Sequence, residues 1–197
     1  MTTLTATRTA TRTRRDRFAD WAVIGLVVIA LLIGWAIKSG AEGATQALSS
    51  DVGSFNAPIG WRSDKNAGLA AMDTRTASGV PTTFSIATEA FDGDPSLNAL
   101  STRRTIQLAQ DLDGFSMLGT QPDSIFGNSA TTLNYAYVVV PEAGTAGSAR
   151  VPVVVEATDT LIKRGGQLVI VHFSSEASSY ASLADLRAKL IGSVTLP

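Results

Sequence analysis

The stretch Val151-Pro-Val-Val-Val-Glu-Ala-Thr-Asp-Thr-Leu-Ile-Lys-Arg-Gly-Gly-Gln-Leu-Val-Ile-Val-His-Phe173 decides the fold. Two β-branched runs, Val151 to Ile162 and Gln167 to Phe173, flank Lys163-Arg-Gly-Gly166, whose glycines allow the positive φ that a tight hairpin needs. A hairpin makes its strands antiparallel. Just before it, Thr131 to Val140 alternates with Leu133, Tyr135, Tyr137 and Val139 on one face, and the Gly/Ala-rich loop Glu142 to Ser148 follows. Just after it, Ser178 or Ser179 is expected to cap a helix with Tyr180, Leu183, Leu186, Leu190 and Ile191 on one side. Asp185 and Lys189 form an i,i+4 pair on its solvent side.

Further towards the N-terminus, Asp94-Pro95 predicts a cap with proline at the first helical position. That helix runs to about Leu112 with Leu97, Leu100, Leu108 and Leu112 on one face, and Gly114 is placed to end it. Ile106 falls on the opposite face without explanation. A weak strand near Phe115 to Gly119 and a turn around Gln121 to Ser124 follow the helix. Before it come three short strands: Phe55 to Trp61, broken by Pro58 and Gly60, then Gly68 to Asp73 and Thr82 to Phe91. Strands joined by hairpins, with helices kept apart from them, predict an α+β domain on an antiparallel sheet.

The rest of the chain is organised around Trp21-Ala-Val-Ile-Gly-Leu-Val-Val-Ile-Ala-Leu-Leu-Ile-Gly-Trp-Ala-Ile37, which holds no charged side chain. A helix through it is roughly 25 Å long, close to a bilayer core of about 30 Å. Only a helix satisfies such a backbone in hydrocarbon. Residues 18–38 are therefore expected as a transmembrane helix, with Trp21 and Trp35 at the two membrane interfaces. Ser39-Gly-Ala41 has a cleavage-like spacing, but the apolar run exceeds the 7–15 residues or so of a signal core, which favours a retained anchor. Ala30 and Gly34 make a small-xxx-small pair, either a helix-packing face or an ordinary lipid-facing pair.

Charge sets the expected orientation. Arg8, Arg12, Arg14, Arg15 and Arg17 precede the apolar run against Asp16 and Asp20, whereas eleven basic and fifteen acidic residues follow from Lys38 onward. Arg12, Arg14, Arg15 and Arg17 are thus the topology determinants that hold the N-terminus in the cytoplasm and place the remainder outside. Residues 1–17 read as a basic disordered tail, 39–54 as a linker and 55–197 as one extracytoplasmic domain in a single-pass cell-membrane protein. An acidic domain of this kind is a poor partner for nucleic acid. The absence of cysteine excludes disulfides, thiol catalysis and thiolate metal sites.

The chemistry inventory is sparse, and no catalytic, cofactor-binding or metal-binding residue is assigned. His172, the lone histidine, shares the strand register of Leu168 and Ile170 and reads as a half-buried strand residue. Asp92-Gly-Asp94 lacks the spacing of a calcium loop. Asp111 and Asp113 read as solvated charge at a helix end. Glu156 and Asp159 lie on opposite faces of one strand and cannot pair as acid and base.

Ala57-Pro-Ile-Gly-Trp61 is similar to the Pro-x-Gly-Trp opening of the PsbP/Mog1/DcrB-like family. The run Gln167 to Phe173 leading into Leu183 to Ser193 resembles the family's closing hairpin and helix. The resemblance spans roughly Phe55 to Pro197. It implies an α/β/α sandwich with a central antiparallel sheet and no enzyme activity, since members include the photosystem II extrinsic subunit and bacterial envelope lipoproteins. The expected function is an accessory or assembly subunit of a larger membrane complex, photosynthetic or respiratory, with integral membrane subunits and the bilayer as partners. The alternative is a tethered envelope module binding a small apolar ligand or lipid, with Tyr135, Tyr137 and Phe173 either lining the pocket or, as is commoner for aromatic residues on strands, packing an ordinary core.

Overall fold

The predicted hairpin is the centre of a seven-stranded sheet. In the computed structural model, β1 covers Thr45–Ser50, β2 Gly53–Pro58, β3 Arg62–Asp64, β4 Leu69–Asp73, β5 Thr82–Ala90, β6 Ser116–Ile125, β7 Asn128–Val139, β8 Val153–Arg164 and β9 Gln167–Glu176. The helices are α1 (Arg15–Gly43), α2 (Leu97–Asp111), α3 (Ala177–Tyr180) and α4 (Ala184–Gly192). The structure describes residues 15–64, 69–76, 78–141 and 151–197, and of 15–20 and 36–43 only the backbone. Residues 1–14, with Arg12 and Arg14, and the loop Glu142 to Ser148 lie outside the described residues. So do the side chains of Arg15 and Arg17, although both residues belong to α1.

The chain divides into two compact units, Met1–Ala44 and Thr45–Pro197. In the first, every residue from Trp21 to Trp35 is exposed, Trp21 by 71% and Trp35 by 70%. Ala30 and Gly34 both lie on this helix, and nothing stands within 4 Å of where a Cβ on Gly34 would be. Among the described residues no helix is long and apolar enough to cross a membrane. The segment with described side chains, Trp21 to Trp35, is itself shorter than the roughly 20 residues a span needs.

In the second unit the sheet order is β3-β4-β5-β9-β8-β7-β6, antiparallel throughout, with β1 and β2 forming a separate hairpin. Alternation gives each strand two inward faces. One face packs Leu133, Tyr135, Ala157, Leu161, Leu168 and Ile170 under Leu100 and Leu108 of α2. The other packs Phe84, Ile86, Ile162, Val171 and Phe173 with Phe55 of β2 and Leu190 of α4. The result is α2, then the sheet, then α3 and α4 with the small hairpin. This is the α+β sandwich expected, with Ile106 exposed.

Several boundaries differ from the sequence reading. Residues 39–54 are not a plain linker: α1 continues to Gly43 and β1 pairs with β2, Leu48 opposite Phe55 at the core edge. The turn expected at Gln121 to Ser124 is strand, because β6 is the sheet edge, where a proline sacrifices no ladder bond. The reversal falls instead at Phe126 and Gly127, both at positive φ. Ser96, not Asp94, caps α2 by accepting from the Ala99 N–H, since Asp94 is drawn to the Lys163 ammonium. Ser178 and Ser179 cap nothing; they sit within α3, and the chain passes through a 3-10 turn, Ala181–Leu183, into α4. The C-cap of α2 is Leu112, and Gly114 lies beyond it at φ +63°, where a Cβ would stand 2.9 Å from Cγ2 of Val138.

Candidate functional site

On the α2 face, sheet order brings together residues that are far apart in the chain. β9 lies between β5 and β8, so Asp159 stands opposite His172 on one side and His172 opposite Ser85 on the other. Asp159 shares strand parity with Val155, Ala157 and Leu161 and is fully buried. A carboxylate there must be met by donors. Arg104 of α2, one helical repeat from both Leu100 and Leu108, directs its Nε to Oδ2 of Asp159 at 2.8 Å. Oδ1 accepts from the Tyr135 hydroxyl at 3.0 Å and faces Nδ1 of His172 at 2.7 Å. On its other side the imidazole Nε2 is hydrogen-bonded with the Ser174 hydroxyl, 3.1 Å away.

Electrostatics follow from this wiring. Burial pushes Asp159 up, but the hydrogen bond and charge of His172 and then Arg104 hold its pKa below the ordinary carboxylate value. Burial opposes the charge on Arg104, yet Asp159, with smaller help from Tyr135 and Glu89, raises its pKa. Burial and then the Asp159 charge raise Tyr135, which stays neutral. Burial also raises Tyr137, against a hydrogen bond with Ser174 that lowers it. The buried ion pair is therefore charged and the phenols are not.

The network floors a cleft of about 300 Å³ beside α2, whose wall includes Ser85, Glu89, Arg104, Leu112, Tyr137 and His172. Glu89 lies 3.7 Å from Arg104 across its rim. Ser174, His172 and Asp159 have the connectivity of a nucleophile relay. Ser174, however, is buried and does not line the cleft, so its hydroxyl is not presented to a substrate. What the arrangement does is fix the imidazole and guanidinium rigidly at the floor of a half-polar cleft.

Of the residues singled out in the sequence, His172 is half-buried as expected, but its partners were missed. Asp159 was read only against Glu156, and Arg104 not at all. Tyr135 and Tyr137 border the cleft, whereas Phe173 faces the opposite side of the sheet and packs against Tyr180, so it is no part of this pocket. Among the described residues no group of three or more His, Asp or Glu is placed to hold a metal.

With the layers and the cleft in place, solved structures give a consistent match. Cyanobacterial PsbP (CyanoP) from Synechocystis sp. PCC 6803 aligns at 16% identity and TM-score 0.55 over 78% of this chain and 93% of its own. The domain has a PsbP/Mog1/DcrB-like fold. PA94 from Pseudomonas aeruginosa, described as a putative regulator of unknown function, aligns at 13% identity, TM-score 0.51, over 79% and 98%. LpqN of Mycobacterium tuberculosis, described as involved in cell envelope biogenesis, aligns at 19% identity, TM-score 0.51, over 78% and 91%. No protein-family model and no curated protein matches the chain. At these identities the PsbP-like likeness establishes the fold; what the domain does is a separate argument.

Proposed function

We propose that this chain is a non-catalytic accessory module of the cell envelope, anchored by α1, whose PsbP-like domain serves a larger membrane complex on the extracytoplasmic side. The observation that carries the reading is α1: its whole apolar surface from Trp21 to Trp35 is exposed, which calls for hydrocarbon or other spans around it. The basic flank before it supports an inward N-terminus. The names of two structural neighbours, one a cyanobacterial PsbP and one a protein of envelope biogenesis, support an accessory role. An energy-transducing complex, photosynthetic or respiratory, is the more specific form of this reading.

Alkaline carbonate extraction of membranes, followed by external protease on intact spheroplasts, tests the anchor and its orientation. The reading expects retention in the membrane and digestion of the domain from outside. Release into the aqueous fraction, or protection of the domain, refutes it.

A second reading is favoured by the cleft: a small ligand, apolar along Leu108, Leu112 and Ile170 and hydrogen-bonded at its floor, is held near the membrane. Native mass spectrometry of the purified chain checks this. A stoichiometric bound small molecule lost in Tyr137→Ala supports it, and a bare chain counts against it.

A further inference from the structure

We infer that the cleft between α2 and β5 takes an aliphatic amine, its ammonium held by Glu89 and its carbon chain laid over Ala87. The inference rests on the ligand-binding reading of that cleft proposed above and names the ligand's chemistry. Most polar atoms of the floor are already engaged inside the protein. His172 meets Asp159 through Nδ1 and Ser174 through Nε2, the Tyr135 hydroxyl donates to Asp159, and Tyr137 is bonded with Ser174. The polar capacity left for a ligand stands on the β5 side of the floor. Ser85, Ala87 and Glu89 all face the cleft, as the two-residue period of a strand requires. Among the described residues the Ser85 hydroxyl takes no partner. The Glu89 carboxylate meets only Arg104 among them, at 3.7 Å, too far for a hydrogen bond.

Charge decides which end group suits these positions. The Arg104 guanidinium is shared by Asp159 at 2.8 Å, Gln107 at 3.4 Å and Glu89 at 3.7 Å. Two carboxylates thus meet one guanidinium, and even a charged imidazole would bring the cleft only to neutrality. Arg103 belongs to the adjoining small recess and not to this lining. An anionic ligand therefore finds no surplus positive charge, whereas an ammonium supplies the charge-assisted N–H donors that Glu89 lacks. The strand runs about 13 Å from Ser85 to Glu89, and between them only Ala87 projects into the cleft. With Leu108, Leu112 and Ile170 it makes the intervening lining apolar, and its small side chain leaves room for methylene groups.

The lone histidine lines the cleft, so isotope-labelled histidine in the full-length chain gives a single imidazole C–H signal as an NMR probe. Hexylamine, hexanoate and hexanol share a chain length and differ in end group, and the amine is cationic at neutral pH. The expected result is a saturable shift of the His172 signal with hexylamine, at lower concentration than with hexanol, and none with hexanoate. Glu89→Gln should raise the hexylamine midpoint roughly tenfold, the loss of one charge-assisted hydrogen bond. Ala87→Leu should abolish the shift by filling the space. An undisturbed His172 signal before titration shows that each variant is folded. Hexanol or hexanoate acting as readily as hexylamine, an unchanged midpoint in Glu89→Gln, or a full shift in Ala87→Leu overturns the amine while the wider ligand reading stands. Silence from all three probes also overturns it, and native mass spectrometry of the purified chain then decides the wider reading by itself.

Discussion

Arg104 reaches from α2 into the sheet and places its Nε 2.8 Å from Oδ2 of the fully buried Asp159. That one ion pair joins the helix layer to the strand layer, and the same carboxylate orients Tyr135 and His172. A buried charge whose partner is removed is left without compensation, while replacing both partners is far milder.

Arg104→Leu alone is therefore expected to cost about 3–5 kcal/mol. The Arg104→Leu/Asp159→Leu double variant recovers much of it. Urea denaturation of the four members of the cycle measures this; equal losses in single and double variants would show that the pair is not coupled.

The pH dependence of stability has a definite sign. Asp159 has a lowered pKa in the fold, so its contribution is fully present above the unfolded carboxylate value of about 3.9 and is lost as the pH falls through the folded value. Acid titration of the midpoint of unfolding should show a steep decline below about pH 4 that Asp159→Asn flattens. An unchanged acid slope in that variant contradicts the wiring.

Gly114→Ala combines positive φ with a Cβ 2.9 Å from Val138, at the point where the chain leaves α2 for β6. A loss of more than about 1 kcal/mol is expected by chemical denaturation. Gly127→Ala, also at positive φ but with open space around it, carries the backbone cost without the clash and should lose less.

In α1, Ala30→Ile and Gly34→Ile are expected to weaken association with neighbouring spans without unfolding the domain. Co-purification in mild detergent reads this out. If both variants retain every partner at wild-type yield, the pair faces lipid and the helix-packing role is wrong.

The strand hairpin was legible because Lys163 to Gly166 separates two β-branched runs, and the observed strands meet at Gly165-Gly166. The face of α2 was legible from its leucines. β1 and β3 were not, since Thr45–Ser50 and Arg62–Asp64 are short and largely polar, without the apolar alternation that marks a half-buried strand. The candidate site was half legible. Asp159 in register with Val155, Ala157 and Leu161, and Arg104 between Leu100 and Leu108, each signalled a buried charge in need of a partner. That each is the other's partner depends on α2 lying over β8, with β9 next to it, and only the three-dimensional order shows that.

The central claim is that this chain is an anchored accessory module of a membrane assembly. Mild-detergent purification of the tagged full-length chain, with native mass determination and identification of bound proteins, tests it most directly. The account predicts a defined large assembly in which this chain has fixed stoichiometry with integral membrane subunits. A free monomer or small homo-oligomer, recovered without partners under conditions that preserve other membrane complexes, would contradict it.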